Sequence, residues 1–242
     1  MNDLVVCSGL TKIYRGTTPA LDQVDLRLPS GKIIGLLGPN GSGKTTLIKI
    51  LTGLLRPTRG YALICGKEIG VETKAVVSYL PDKMYYANWM KGKDLIDLFA
   101  DFYADFRKER AEAMCTALGI DLNMKVKAMS KGTQEKLQLI LVMSREAKLY
   151  LLDEPIAGVD PAAREFILRT ILANYSPDST VLISTHLIAD VEPVLDEAIF
   201  LKEGRVVRYD SVDHIRETEG KSVDEVFREI FRTVPMGGAW PC

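Results

Sequence analysis

Gly-Pro-Asn-Gly-Ser-Gly-Lys-Thr, at residues 38–45, is the stretch that decides the fold. A compact apolar run at residues 32–37 precedes it and is typical of a strand buried on both faces. Apolar residues at helical spacing follow over residues 45–55. The glycines of such a strand–turn–helix unit let successive backbone N–H groups curl around an anion, and the helix N-terminus adds partial positive charge. The pattern predicts a phosphate-binding loop; the plain alternative is a glycine turn with an exposed lysine.

The residue types within this loop indicate a nucleotide and a divalent cation. Lys44 is placed to reach the β- and γ-phosphates, and the Thr45 hydroxyl is placed to ligate magnesium. The candidate nucleotide-binding residues of the segment are Gly38, Pro39, Asn40, Gly41, Ser42, Gly43, Lys44, Thr45 and Thr46.

A second candidate site follows an apolar strand that ends in two adjacent carboxylates, LYLLDEP at residues 149–155. One carboxylate can hold magnesium while the other orients the attacking water. We assign Asp153 to the metal and Glu154 to the water. An acidic pair after a strand is often only a helix cap or a solvated turn, but its position after a phosphate loop favours the catalytic interpretation.

Composition excludes several functional classes. Hydrophobic residues make up 47% and charged residues 26% of the 242-residue chain, as in soluble globular proteins. Because 31 basic residues balance 32 acidic ones, charge gives no reason to expect a nucleic-acid partner. The four cysteines form no CxxC pair, and with two histidines a structural zinc site is not expected. No secretory signal and no apolar run long enough to cross a bilayer is recognisable, so we expect a chain that does not itself span a membrane.

Taken together, these segments make the chain similar to the nucleotide-binding subunit of an ATP-binding cassette (ABC) transporter over almost its whole length. The resemblance implies an α/β fold: a P-loop NTPase (RecA-like) core with an N-terminal antiparallel β subdomain and an inserted α-helical subdomain. We expect one such domain over residues 1–232. Residues 1–85 and 147–215 would form the β subdomain and core, residues 86–146 the helical insertion, and residues 216–242 a short C-terminal helix and tail.

The resemblance also nominates residues beyond the two motifs. Tyr14 corresponds to an aromatic residue that stacks on adenine, although it also fits a plain strand-edge tyrosine. Ser130 and Gly132 lie in the segment Met-Ser-Lys-Gly-Thr-Gln (129–134), where the family has its LSGGQ signature. Asp160 lies in the segment after the acidic pair. His186 follows a buried strand at the position of the family's catalytic switch histidine; a lone histidine there is otherwise usually structural.

Two departures from the family pattern bear on mechanism. Asp82 stands where the family has a glutamine that helps to bind magnesium; a carboxylate is still a suitable oxygen ligand, but it adds negative charge. Lys131 and Thr133 replace a glycine and the glutamine of the signature, while Ser130 and Gly132 match it. We expect the signature to remain functional.

The family implies ATP and Mg²⁺ as cofactors and two kinds of partner. One is a second ABC subunit, identical or paralogous, that encloses two ATP molecules with this one. The other is a transmembrane permease subunit, which would place the chain at the cytoplasmic face of the membrane as a peripheral protein. No nucleic acid is expected. The ending of the chain at residues 221–231 resembles exporter-type subunits, and the aromatic stretch 84–90 either packs in the helical insertion or lines the permease-docking groove.

Two other functions fit the same residues. One is an ABC-type ATPase outside transport, acting on ribosomes or DNA; even charge balance and the lack of a second cassette oppose it. The other is a regulatory module that binds ATP with weak turnover. Glu154 and His186 oppose this second function, whereas Asp82 and Lys131 leave it open.

Overall fold

The apolar run before the glycine-rich loop forms the third of ten strands in the computed structural model, which describes residues 3–159 and 161–232 except for the side chains of residues 161–163. The strands are β1 (Asp3–Ile13), β2 (Pro19–Pro29), β3 (Ile33–Leu37), β4 (Arg59–Ile64), β5 (Lys67–Glu68), β6 (Val77–Leu80), β7 (Leu149–Asp153), β8 (Thr180–Thr185), β9 (Glu197–Lys202) and β10 (Arg205–Ser211). All five residues of β3 are buried, as its continuous apolar sequence predicts for a strand covered on both faces.

These strands form two sheets. The larger has the order β10-β9-β3-β8-β7-β6, in which the strands from β9 to β6 run parallel and β10 pairs antiparallel with β9. The smaller has the order β2-β1-β4-β5 and is antiparallel throughout. The predicted α/β core with an N-terminal antiparallel sheet is therefore confirmed.

Helices cover both faces of the larger sheet. The helices of the described residues are α1 (Lys44–Leu51), α2 (Val71–Val76), α3 (Gly92–Phe102), α4 (Lys108–Ala117), α5 (Lys131–Met143), α6 (Pro161–Asn174), α7 (Ile188–Val191), α8 (Val212–Glu219) and α9 (Val223–Phe231). The buried side of α1, including Leu47 and Leu51, packs in one apolar cluster with both sheets. On the other face, α6 to α9 and the end of α5 share a second cluster with β7, β8 and β9.

A third apolar cluster lies among α3, α4 and α5, centred on Phe99 and Phe106. Helix α5 joins it to the core, because Leu137 packs in the helical cluster whereas Val142 packs against the sheet. This arrangement is compatible with a helical insertion; its boundaries at residues 86 and 146 stay a prediction.

Arg145, just after α5, ties the helical layer to the sheet. Its guanidinium is almost fully buried and donates two hydrogen bonds to Asp105, each of 3.0 Å. It also donates to the backbone carbonyls of Val77 (2.5 Å) and Ala75 (2.7 Å) and lies 3.8 Å from the ring centroid of Tyr103. These contacts together compensate the buried positive charge of Arg145. Removing Asp105 would leave that charge unpaired in the interior, which would destabilise the folded state.

One predicted helix is shorter than the periodicity indicates. The helix expected over 45–55 ends at Leu51, before Gly53, whose φ of 75° is left-handed and stops the helix. Helix α5 ends at Met143, and the chain then turns so that Arg145 can reach β6. At the C-terminal end, Ser222 and Glu225 form a capping box at the start of α9, whereas the predicted tail beyond residue 232 lies outside the described residues.

Candidate functional site

The carboxyl ends of three parallel strands bring the predicted residues together. In the sheet, Leu37 of β3 pairs with Thr185 of β8, and Asp153 of β7 pairs with Ser184. The segments that follow these strands therefore emerge at one edge, where open α/β sheets bind their ligands. The glycine loop, the acidic pair and His186 all lie there.

The glycines of the loop are required by its shape. Gly41 and Gly43 have φ values of 83° and 111°, which residues with side chains rarely adopt. A Cβ on Gly43 would lie 2.5 Å from the Ala20 carbonyl oxygen, and one on Gly38 would lie 2.4 Å from that of Leu201. The loop is thus held close to neighbouring backbone in a conformation that other residues would break.

Lys44 lies inside this loop rather than in solvent. Its ammonium group donates to the carbonyl oxygens of Gly38 (2.7 Å) and Pro39 (3.3 Å). It also forms an ion pair with the Glu154 carboxylate at 3.4 Å, with both side chains largely buried. The alternative of an exposed lysine on a glycine turn is inconsistent with this burial.

Glu154 lies between a cation and an imidazole. One carboxylate oxygen faces Lys44, and the other lies 3.0 Å from His186 Nδ1. The Glu154 backbone has a φ of 51°, an uncommon left-handed conformation for a residue other than glycine. This turn aims the carboxylate across the mouth of the loop, where it is placed to act on a reacting phosphate or water.

Asp153 is surrounded by hydroxyl groups. Thr45 Oγ1 donates to Asp153 Oδ1 at 3.1 Å, and Ser184 Oγ donates to the same oxygen at 2.6 Å. The second oxygen, Oδ2, is buried and has no hydrogen-bond partner among the described residues. Burial raises the pKa of Asp153; the two hydroxyl hydrogen bonds oppose this shift, and the nearby carboxylates of Asp82 and Glu154 add to it. An orphaned carboxylate oxygen beside a hydroxyl and a second carboxylate fits a hard cation such as magnesium.

We expect Asp153→Asn to raise the thermal midpoint of the nucleotide-free protein at pH 7. The raised pKa means that the surroundings disfavour the charged form, which the amide removes. A carboxyl with a raised pKa binds more protons in the folded state than in the unfolded state, so its contribution to stability falls as pH rises.

Melting curves of Asp153→Asn and wild type from pH 7 down to the ordinary carboxyl pKa of 3.8 test this, and the difference in midpoint should narrow once the pH falls below the raised pKa of the folded state. Asp178→Asn, an exposed loop change, serves as the control and should not move the midpoint. A lower midpoint for Asp153→Asn at pH 7 would contradict the expectation.

A cavity of about 370 Å³ opens over these groups. It is lined by Ala20, Asn40, Gly41, Gly43, Lys44, Thr45, Thr46, Asp82, Glu154, Ala157 and His186. A second cavity of about 660 Å³ adjoins it and also touches Thr45, Asp82 and Asp153. Asp82 therefore lies where the sequence places it, next to the candidate metal ligands. The buried Ser42 hydroxyl has no hydrogen-bond partner.

Tyr14 lies beside the start of α1. Its hydroxyl is 3.4 Å from Thr46 Oγ1, and about half of its surface is exposed. The Lys12 ammonium lies 5.4 Å from its ring centroid. The exposed ring is available for stacking, and its contact with adenine stays a prediction.

The signature segment lies apart from this cavity. Ser130 caps α5 by accepting a hydrogen bond from the Thr133 backbone N–H at 3.2 Å, and Gly132 has open space where a Cβ would be. The Lys131 side chain is exposed, with its ammonium 3.6 Å from Glu135. Among the described residues that line the cavity, none belongs to the signature segment. Asp160 lies outside the described residues.

Ser184 is the site residue that the sequence analysis did not single out. It was read only as the end of a buried strand. Its signal is positional: it is the last residue but one of the strand before His186, and β8 runs beside the strand that ends in Asp153.

A family model described as ABC transporter matches residues 21–157, more than half of the chain. The chain belongs to the ABC transporter family. The cassette is 32% identical to an uncharacterised ABC transporter ATP-binding protein of Bacillus subtilis over 218 residues, which cover 87% of this chain and 70% of that protein. It is 31% identical to the daunorubicin resistance ATP-binding protein DrrA3 of Streptomyces coeruleorubidus over 234 residues, covering 93% and 74% of the two chains.

Other relatives are longer than the matched region. An uncharacterised ABC transporter ATP-binding protein of Synechocystis is 30% identical over 212 residues, which cover 82% of the cassette but 60% of that relative. Among solved structures, an ATP-binding subunit of an ABC transporter has a TM-score of 0.85 at 28% identity, covering 95% of the cassette and 100% of that chain. A dimeric ATP-binding cassette bound to ADP and Pi has a TM-score of 0.75 at 21% identity, covering 86% and 98%, and shares the fold.

The comparisons confirm the fold and the family predicted from the sequence. Within residues 3–159 and 161–232, no helix combines the length and apolar character that crossing a membrane requires.

Proposed function

We propose that the cassette binds and hydrolyses ATP with magnesium as the energy-supplying subunit of an ABC transporter. The arrangement around Glu154 supports this most directly: its carboxylate lies 3.4 Å from Lys44 and 3.0 Å from His186, at the mouth of the glycine loop. A proton acceptor between a phosphate-binding cation and an imidazole is what hydrolysis of a terminal phosphate requires.

Each residue has a distinct role in this proposal. The backbone N–H groups of the loop and Lys44 bind the phosphates, which then compete with Glu154 for the lysine. The freed Glu154 carboxylate accepts a hydrogen bond from the attacking water and orients it. His186 holds the Glu154 carboxylate and lies close to the transferred phosphate.

The cation would be held by oxygen atoms of Thr45, Asp153 and Asp82. Bound magnesium neutralises charge that develops on the phosphate oxygens. Tyr14 stacks on the adenine at the outer end of the site.

A second subunit completes each site. Ser130 and Gly132 lie at the N-terminus of α5, outside the cavity of their own chain, where the helix dipole and free backbone N–H groups favour an anion. We assign them, with Asp160, to the ATP bound by a partner cassette, identical or paralogous. Their separation from the phosphate loop within one chain supports this dimer.

The aromatic stretch 84–90 supports a membrane partner. Its members Tyr85 and Trp89 are exposed, whereas Tyr86 packs with its ring centroid 6.0 Å from that of Phe99. Tyr85 also lines a groove of about 250 Å³ beside Leu54. Exposed aromatic residues are enriched at interfaces, so we place the permease here and the cassette at the cytoplasmic face of the membrane as a peripheral protein. Export is the direction favoured by the likeness of residues 221–231 to exporter-type subunits.

A phosphate-release assay on the purified protein tests the enzymatic part, and release should require both ATP and magnesium. ATP binding without release would instead favour the regulatory module. Co-purification with a membrane protein tests the transport part, whereas co-purification with ribosomes or DNA would favour the other ABC ATPase function.

We expect Asp82→Ala to raise the magnesium concentration for half-maximal ATPase activity several-fold. The carboxylate lines the same cavity as Thr45 and Asp153, where it would supply a negative charge and an oxygen ligand for the cation. Nucleotide binding without magnesium should change little. Asp178→Ala, an exposed loop change, is the matched control. If Asp82→Ala keeps the magnesium dependence of wild type, Asp82 does not take part in binding magnesium.

A further inference from the structure

Ser184 lies between the two residues that the proposed reaction depends on. It is fully buried near the end of β8, in register with Asp153 of β7. Its hydroxyl donates to Asp153 Oδ1 at 2.6 Å. The Glu154 backbone N–H is shared between this hydroxyl, at 3.1 Å, and the Ser184 backbone carbonyl oxygen, at 3.0 Å. One side chain thus contacts both the metal-side and the water-side residue.

The chemistry of a hydroxyl suits this double contact. A serine hydroxyl has one proton to donate and lone pairs to accept with, so donation to the Asp153 carboxylate leaves it free to accept from Glu154. A hydrogen bond to a charged acceptor is stronger than one between neutral groups. The contact with Asp153 is therefore the stronger of the two, and it fixes where the hydroxyl oxygen can meet the Glu154 N–H.

The hydrogen bond from Ser184 also determines which carboxylate oxygen of Asp153 remains open to a metal ion. Oδ1 receives both hydroxyl donors, from Ser184 and from Thr45. Oδ2 is left buried without a partner. Since Thr45 is assigned to magnesium, Ser184 is the donor that holds the carboxylate in this orientation independently of the metal.

We infer that Ser184 is a positioning residue for ATP hydrolysis: its hydroxyl presents Asp153 to magnesium and, together with the Ser184 backbone carbonyl, holds the left-handed turn that aims Glu154 at the water. The inference rests on the proposed ATPase function. It assigns no contact with ATP to Ser184 itself.

Ser78 shows what a buried serine does when it is only structural. It lies on β6 of the same sheet, is almost fully buried, and donates to the Val142 carbonyl oxygen at 2.9 Å. That hydrogen bond involves neither Asp153 nor Glu154. Ser78→Ala therefore removes a buried hydroxyl of the same sheet without touching the carboxylates, and is the matched control for Ser184→Ala.

The test measures binding and turnover separately. A fluorescent ATP analogue is titrated into wild type, Ser184→Ala, Ser184→Cys and Ser78→Ala, with and without magnesium, and phosphate release is followed at saturating nucleotide and magnesium. For Ser184→Ala we expect unchanged binding without magnesium, an about tenfold higher half-saturating magnesium concentration, and an about tenfold lower kcat, as for loss of one hydrogen bond to a charged group. Ser184→Cys should behave like Ser184→Ala, because a thiol fills the space but donates weakly.

Four outcomes separate the possibilities. Magnesium-specific loss in both Ser184 variants, with Ser78→Ala like wild type, supports the positioning role. Wild-type behaviour in Ser184→Cys would show that the volume, not the hydrogen bond, matters, and would overturn it. Equal loss in Ser78→Ala, or loss of binding without magnesium in Ser184→Ala, would overturn it in favour of general destabilisation. A wild-type protein that binds ATP but never releases phosphate would overturn the proposed function itself.

Discussion

Glu154→Gln is expected to lower steady-state ATP hydrolysis by about 10²–10⁴-fold while ATP binding is kept. Positioned proton acceptors contribute on this scale, and an amide cannot accept the proton from the attacking water. The glutamine also leaves Lys44 without its carboxylate at 3.4 Å, so the lysine is free for the phosphates. ATP affinity should therefore stay equal or rise.

Two measurements check this expectation. Phosphate release at saturating ATP and magnesium gives the loss of turnover, and size-exclusion chromatography under the same conditions should show an accumulated dimer. Glu192→Gln is the matched control, because Glu192 is another buried glutamate, paired with Arg216 at 3.1 Å. A Glu154→Gln protein that stays monomeric and still hydrolyses ATP would refute both the role of Glu154 and the two-subunit site.

Lys44→Ala should weaken ATP binding at least a hundredfold, about 2.8 kcal/mol at about 1.4 kcal/mol per factor of ten. The ammonium group is buried inside the loop and bonded to the Gly38 carbonyl at 2.7 Å, where it faces the place that phosphates would take. Its loss also leaves the Glu154 carboxylate without its cation, so that a negative charge would face the phosphates.

A nucleotide titration measures the loss. Lys108→Ala is the control, because Lys108 is also ion-paired, with Asp97 at 2.6 Å, but on the helical layer. Affinity within a factor of about two of wild type in Lys44→Ala would remove Lys44 from the site.

The parts of the fold that carry strong local patterns were predictable. Three features are recognisable from a few consecutive residues: the apolar run of β3, the glycine loop, and the acidic pair at the end of β7. Most elements that escaped prediction are short: β5 has two residues, β6 has four, and α2 and β4 have six each, whereas α8 has eight. Such segments carry too few residues for a period to be recognised, and neighbouring strands determine them.

The contacts at the site that the sequence does not predict join residues that are distant in the sequence and are brought together by strand pairing. Nothing near Ser184 in the sequence shows that it faces Asp153, because the contact exists only once β8 lies beside β7 in register. The Lys44–Glu154 pair is similar: Lys44 is predicted at the phosphates and Glu154 at the attacking water, and their contact with one another depends on the sheet order. Arg145 follows a helix in the sequence, where exposed arginines are common, yet it is buried.

Arg145 has a mechanical consequence. Helix α5 has 13 residues and so is about 20 Å long. Ser130 lies at its N-terminal end, and Arg145 follows its C-terminal end. Over this length of about 20 Å, a tilt of the helix axis by about 5° at the Arg145 end would move Ser130 by about 2 Å. A misplacement of about 1 Å can cost about a hundredfold in rate. The alignment of the proposed two-subunit site would therefore depend on a joint far from the nucleotide.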